Sequence, residues 1–162
     1  MIIQVKNKDT LEIDEFSFKC CVGKNGLSFN KKEGDFSTPK GIFKLKKLYF
    51  RKDRVGTPKS IIKKKIITKT IAWCDDPSHK KYNQEILDLS KKTKEIFYRK
   101  DHKYDYLITI NYNNKKIPYK GSAIFLHLTE NYKPTAGCIA LKRKDFEILL
   151  KLIDKNTKIK IG

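Results

Sequence analysis

Ala123-Ile-Phe-Leu-His127 and Pro134-Thr-Ala-Gly-Cys138 set one histidine and one cysteine eleven positions apart, each beside apolar, strand-forming sequence. A thiolate attacks a carbonyl carbon far better than a thiol does, and imidazole is the commonest group that removes a thiol proton near neutral pH. The pair is the smallest kit for thiol acyl transfer, with Cys138 as nucleophile and His127 as general base and acid. Ala136 and Gly137 leave the backbone before the cysteine uncrowded, so the Gly137 and Cys138 amides are candidate donors to a developing oxyanion. Thr135 adds a hydroxyl that serves the oxyanion, serves His127, or satisfies its own turn. The competing reading is a buried cysteine at a strand start beside a core histidine.

A second segment lies far upstream. Lys32-Glu-Gly-Asp-Phe-Ser-Thr-Pro-Lys-Gly-Ile-Phe-Lys44 runs from turn residues into an alternating strand. Pro39 fixes φ there, and Gly41 permits close backbone approach. Thr38-Pro39-x-Gly41-x-Phe43, the strand ending in His127, and Thr135-x-Gly137-Cys138 together resemble the YkuD-type L,D-transpeptidase catalytic domain of bacterial peptidoglycan enzymes. The resemblance spans most of the chain. It is nearest to a compact subgroup with E-G-D-x-x-T-P-x-G, W-C-D-D, F-L-H and P-T-x-G-C-[IV]-A-L elements, here Glu33, Trp73 to Asp76, Phe125 to His127 and Pro134 to Leu141.

The resemblance implies one catalytic domain over residues 1–162, acting on peptidoglycan or its peptide precursors. Cys138 would attack the carbonyl of the diamino acid in a tetrapeptide stem, expel the terminal D-alanine, and pass the thioester to an amine. With water as acceptor the same site is an L,D-carboxypeptidase. No metal or organic cofactor is implied. Better-studied members read Ser-His-Gly-Cys-x-Arg at the nucleophile, whereas this chain reads Thr135-Ala-Gly-Cys-Ile-Ala140. Their arginine helps position substrate or the site loop, so Arg143, Arg99 and Arg54 are the candidates to replace it. Glu33, Asp35 and Thr38 fall at the rim of the site on the same grounds. Tyr82, Asn83 and Trp73 are candidates to bind a peptide stem, with loop anchoring as the alternative. His102, beside Asp101, competes with His127 for the cleft, while His79 reads as a surface residue.

The formal net charge is +19, which suggests a polyanionic partner. The positive residues are almost all lysine, with Arg51, Arg54, Arg99 and Arg143 the only arginines. Lys, Ile and Asn share A/T-rich codons, so genomic composition accounts for the lysines without a ligand. Nucleic-acid readers favour arginine forks, so no specific nucleic-acid partner is expected, and contact of the lysine-rich surface with an anionic polymer is the alternative reading. Lys63 to Lys65 and Lys115-Lys116 read as loop or edge charges. Cys20 and Cys21 are adjacent and no C-x-x-C pair is present, so Cys20, Cys21 and Cys74 read as packing residues, with pairing or a place lining the site as the alternative for Cys74, and zinc is not expected. No apolar run approaches the roughly 20 residues of a bilayer span, and a soluble monomer is expected. Met1-Ile-Ile-Gln-Val-Lys-Asn reads as a first strand rather than a signal peptide, whereas the resemblance implies the periplasm or cell wall. The main rival is a basic, non-catalytic module for an anionic polymer or nucleic acid.

Strands are expected at Met1–Lys6, Phe16–Val22, Gly41–Leu48, Leu107–Tyr112, Ala123–Leu128, Cys138–Leu141 and Thr157–Ile161. Phe146, Leu149, Leu150 and Ile153 recur at helical spacing and predict a C-terminal helix. A second, looser pattern, Ile86, Leu89, Ile96 and Phe97, predicts a helix over 83–98 or an irregular lid. The fold class is mainly β, a single-domain β-sandwich with a C-terminal helix and one or two short helices.

Overall fold

Alternation of apolar and polar residues drives the strands that frame the molecule. The computed structural model describes residues 1–87 and 94–162. It opens with a meander of β1 (Ile2–Lys6), β2 (Thr10–Ile13) and β3 (Phe16–Cys21), turned at Asn7 and Asp14 in left-handed conformation. The parallel pair β4 (Leu27–Ser28) and β5 (Thr38–Pro39) leads into the long β6 (Gly41–Phe50). A single helical turn, α1 (Lys52–Val55), precedes the short strands β7 (Lys64–Ile66), β8 (Ala72–Cys74), β9 (Glu85–Ile86) and β10 (Lys94–Ile96). Then come β11 (Tyr106–Ile110), β12 (Phe125–Leu128), β13 (Ile139–Leu141), the helix α2 (Arg143–Leu152) and β14 (Lys158–Ile161).

One sheet runs in the order β11-β12-β13-β3-β2-β1-β14-β6-β7, and β11 also pairs with β6. The two ends meet because β6 is long enough to pair with β14 through its first residues and with β11 through its last. The expected sandwich is therefore a single sheet folded over and closed on itself. Lys64 and Lys65 lie on β7, the added edge, where charge discourages strand addition. Inside, Ile3, Val5, Leu11, Ile13, Leu126, Leu128, Ile139 and Leu141 form the main core, joined by Phe146, Leu149 and Leu150 from α2. The predicted C-terminal helix is present, with Asp145 in its first turn favouring the positive end of the dipole.

A second layer covers the outer face of β6, β11 and β12. Tyr49, Leu107 and Phe125 point outward and meet Ile67, Ile71, Phe97, Tyr104 and Cys138. Phe97 is the hub, edge-on to Tyr49, Phe125 and Tyr104 and stacked on Trp73. The three-stranded sheet β10-β8-β9 carries this cap. The helix expected over 83–98 is not formed in the described part. Ile86 and the 94–96 stretch are strands, because Ile86 packs on Ala72 and Cys74 while Phe97 enters the aromatic layer, and no single helical stripe serves both. Leu89 lies outside the described residues.

Candidate active site

β12 and β13 are parallel neighbours with Leu126 opposite Ile139 and His127 opposite Ala140. Since Leu126, Leu128, Ile139 and Leu141 all enter the main core, alternation turns Phe125, His127, Cys138 and Ala140 to the other face. There His127, Cys138 and Ala140 line a cleft of about 940 Å³. The histidine and cysteine are diagonal neighbours on one sheet face.

Cys138 is 8% exposed. Its Sγ donates to the Ala123 carbonyl at 3.2 Å and accepts from the Phe125 amide at 3.4 Å. Burial pushes the thiol up to about 12, with the Phe125 amide and Lys31 pulling against that shift and Glu95 adding to it. Burial pulls His127 the other way, down to about 4. Its Nδ1 lies 2.8 Å from the Leu128 carbonyl oxygen. A carbonyl only accepts, so Nδ1 carries the proton and Nε2 keeps its lone pair. Tyr104 holds the imidazole edge-on at 5.2 Å and donates its own hydroxyl to Glu95 at 2.6 Å. The resting pair is thus neutral thiol and neutral imidazole, not thiolate and imidazolium.

The turn before Cys138 is wired locally. Thr135 Oγ1 donates to the Cys138 carbonyl at 2.6 Å and accepts from the Gly137 amide at 3.1 Å. Its hydroxyl therefore satisfies its own turn, and the Gly137 amide expected in the oxyanion set is already engaged. The Cys138 amide donates to no partner among the described residues. Gly137 has φ of 149°, and a β-carbon there would sit 2.9 Å from the Ser37 carbonyl oxygen. Glycine is what lets the turn press against the upstream segment.

That segment acts as a brace. Thr38 Oγ1 donates to the Gly137 carbonyl and accepts from the Gly23 amide, each at 2.8 Å. Asp35 accepts from Lys31 Nζ, the Lys32 amide, and both the amide and hydroxyl of Ser37. Burial opposes its ionisation, but these donors hold its carboxyl well below the usual carboxylate range. Glu33 lines the cleft and accepts from Ser122 at 2.9 Å and from Tyr82 at 2.8 Å.

Of the other expected residues, Arg99, His102 and Arg143 line the cleft. Arg99 forks Asp101 and lies 5.1 Å over the Tyr104 ring, His102 meets Asp105 at 2.7 Å, and Arg143 meets Glu147 at 3.0 Å. Arg54 does not reach the cleft. Its guanidinium binds the Lys100 and Asp101 carbonyls and Asp105, bracing the loop behind the cleft wall. Trp73, Tyr82 and Asn83 are scaffold anchors rather than lining residues. Trp73 donates to Asn83 at 2.9 Å, Asn83 donates to the Tyr112 and Asn113 carbonyls, and Tyr82 is buried against Glu33 and the Gly121 amide. Cys74 packs on Ala72 and Ile86. Among the described residues no three His, Cys, Asp or Glu side chains converge as a metal site requires.

Lys31, Asp75 and Tyr104 also line the cleft, and they are not among the site residues expected from the sequence. Asp75 sits in the W-C-D-D segment, but nothing in that pattern says that its Oδ1 is buried with no hydrogen-bond partner among the described residues. Burial, reinforced by Glu33 and Glu95, raises its carboxyl to about 6.

The model of the L,D-transpeptidase catalytic domain, YkuD, matches residues 2–161 of the chain. Two solved structures share the fold over 99% of the chain: Bd1075 from Bdellovibrio bacteriovorus, 16% identical with a TM-score of 0.50, and the helical cell shape determining protein Pgp2 from Campylobacter jejuni, 18% identical with a TM-score of 0.54. The chain spans about half the length of these neighbours, 47% and 46% respectively. No curated protein sequence matches it. With the family model covering nearly every residue, the chain belongs to the L,D-transpeptidase catalytic domain (YkuD) family.

Proposed function

We propose that this chain is a cysteine acyltransferase on peptidoglycan stem peptides, working through a thioester on Cys138. The observation that carries the reading is the His127 tautomer: its proton is committed to the Leu128 carbonyl, so the Nε2 lone pair is the base on the face that Cys138 shares. As Sγ attacks the donor carbonyl, Nε2 takes the thiol proton and the carbonyl oxygen becomes an oxyanion, with the Cys138 amide as its donor. Collapse breaks the C–N bond, and imidazolium returns the proton to the departing amine. The thioester then passes to an amine, giving a transpeptide, or to water, giving the carboxypeptidase product. A neutral resting pair suits this sequence, because charge develops only while the acyl carbon is in place.

Intact-mass measurement with a tetrapeptide donor tests it. The expected result is a mass gain on Cys138 equal to the donor less D-alanine, absent in Cys138→Ala. Turnover should fall by several orders of magnitude in Cys138→Ala and in His127→Ala, with the double variant no worse than either single one, as for residues acting as a unit. An adduct on another cysteine, or an active His127→Ala variant, overturns the assignment.

A further inference from the structure

Lys31 is a buried charge that the acyl transfer described above does not use. Its side chain is 4% exposed, yet it lines the cleft with Cys138 and His127. Nζ donates to Asp35 Oδ1 at 2.7 Å and to the Lys32 carbonyl at 3.2 Å. An ammonium has three donors, and among the described residues no acceptor takes the third. The same Nζ lies 3.5 Å from the point that a β-carbon on Gly137 would occupy, so glycine keeps open the space between the ammonium and the nucleophile turn. Asp35 is the counter-charge of Lys31, and its two oxygens also accept from the Lys32 amide and from Ser37, which fixes the pair in place. The field reaches the sulfur as well, since Lys31 lowers the Cys138 thiol. Arg99 and Arg143 are likewise paired with carboxylates, Asp101 and Glu147, but are far more exposed than Lys31.

We propose that Lys31 binds a carboxylate of the acyl donor, namely the free α-carboxylate of the residue that leaves when Cys138 is acylated. That carboxylate lies one residue beyond the scissile carbonyl, so a carbonyl seated on Sγ brings it within a few ångströms of the Gly137 turn. A desolvated carboxylate needs a fixed cation with an unspent N–H, and Lys31 supplies both. The inference rests on the acyl-transfer reading.

Two donors that differ only in a terminal carboxylate or carboxamide provide the test, with thioester formation read by intact mass and turnover by release of the leaving residue. Wild type should prefer the carboxylate by roughly ten- to a hundredfold in kcat/KM, carried mainly by KM. Lys31→Met combined with Asp35→Asn removes the ammonium together with its counter-charge, and the carboxylate donor should fall to the carboxamide level. Lys31→Gln, which keeps a neutral donor facing Asp35, gives the same comparison if the double variant does not fold. Equal rates for the two donors in wild type overturn the proposal, as does a preference that survives in the folded variants. Absence of a thioester with either donor is a separate failure, of the acyl-transfer reading, and removes the proposal with it.

Discussion

Burial acts on His127 and Asp75 in opposite senses, because it penalises whichever form is charged. His127 falls from 6.5 to about 4, so the unfolded chain binds more protons between those values and stability is lost as pH drops through that window. Asp75 rises from 3.8 to about 6, so there the folded chain binds more protons and stability is lost as pH climbs from about 4 to about 6. The two slopes oppose each other in nearly the same range. Asp75→Asn removes one of them. The variant should be more stable than wild type at pH 7, by on the order of 1–3 kcal/mol after discounting for partial solvent access, and should lose stability more steeply from pH 6.5 to 4. Urea unfolding across that range checks both statements, and a destabilised variant at pH 7 would show that Asp75 has a partner. Neither Asp75 nor Lys31 was legible beforehand. Lys31 is one of 33 lysines, and only burial in the folded chain sets it apart.

The elements that carry the site were legible because they obey alternation. In β12 and β13 the core residues and the cleft residues take alternate positions, so His127 and Cys138 had to share a face once the strands paired. What the strands alone do not supply is support for the nucleophile turn, which comes from the Thr38-Pro39 element. Thr38 Oγ1 satisfies two backbone groups at once, the Gly23 amide and the Gly137 carbonyl, in a fully buried position. Thr38→Val keeps the shape and orphans both groups. It should cost roughly 1–3 kcal/mol of stability and lower turnover about tenfold or more through a loosened Cys138, while Thr38→Ser restores most of each. Thermal unfolding and D-alanine release measure the two effects, and a valine variant that matches wild type in both refutes the brace. The cap was harder to read. β8, β9 and β10 are two or three residues long and owe their form to partners far along the chain. Ile86 and Phe97, read as one helical stripe, belong to two separate clusters. The scaffold roles of Trp73, Tyr82 and Asn83 likewise follow from contacts across the fold, which no local pattern announces.

Over the whole molecule, the net charge of +19 and the chemistry of the cleft are separable. The cleft wall mixes signs, with Lys31, Arg99 and Arg143 facing Glu33, Asp75 and Glu95, so it has no single-sign field to draw in a polyanion. The remaining lysines are distributed along the chain, including the β7 edge, and many are exposed. Exposed charges are screened over a Debye length of about 10 Å at 0.1 M salt, whereas a buried ammonium such as Lys31 is screened much less. Two salt responses should therefore come from one protein. Turnover of a short, soluble stem-peptide donor should change by no more than about threefold between 50 and 500 mM salt, because its recognition is local to the cleft. Retention on an anionic polymer should weaken steeply over the same range, and duplex DNA of unrelated sequences should be released together at similar salt, as expected of lysine contacts that neutralise phosphates without reading bases. The measurements are D-alanine release and polymer co-sedimentation in matched buffers. If turnover of the short donor collapses with salt in parallel with polymer binding, the surface lysines steer the substrate and the separation argued here is wrong.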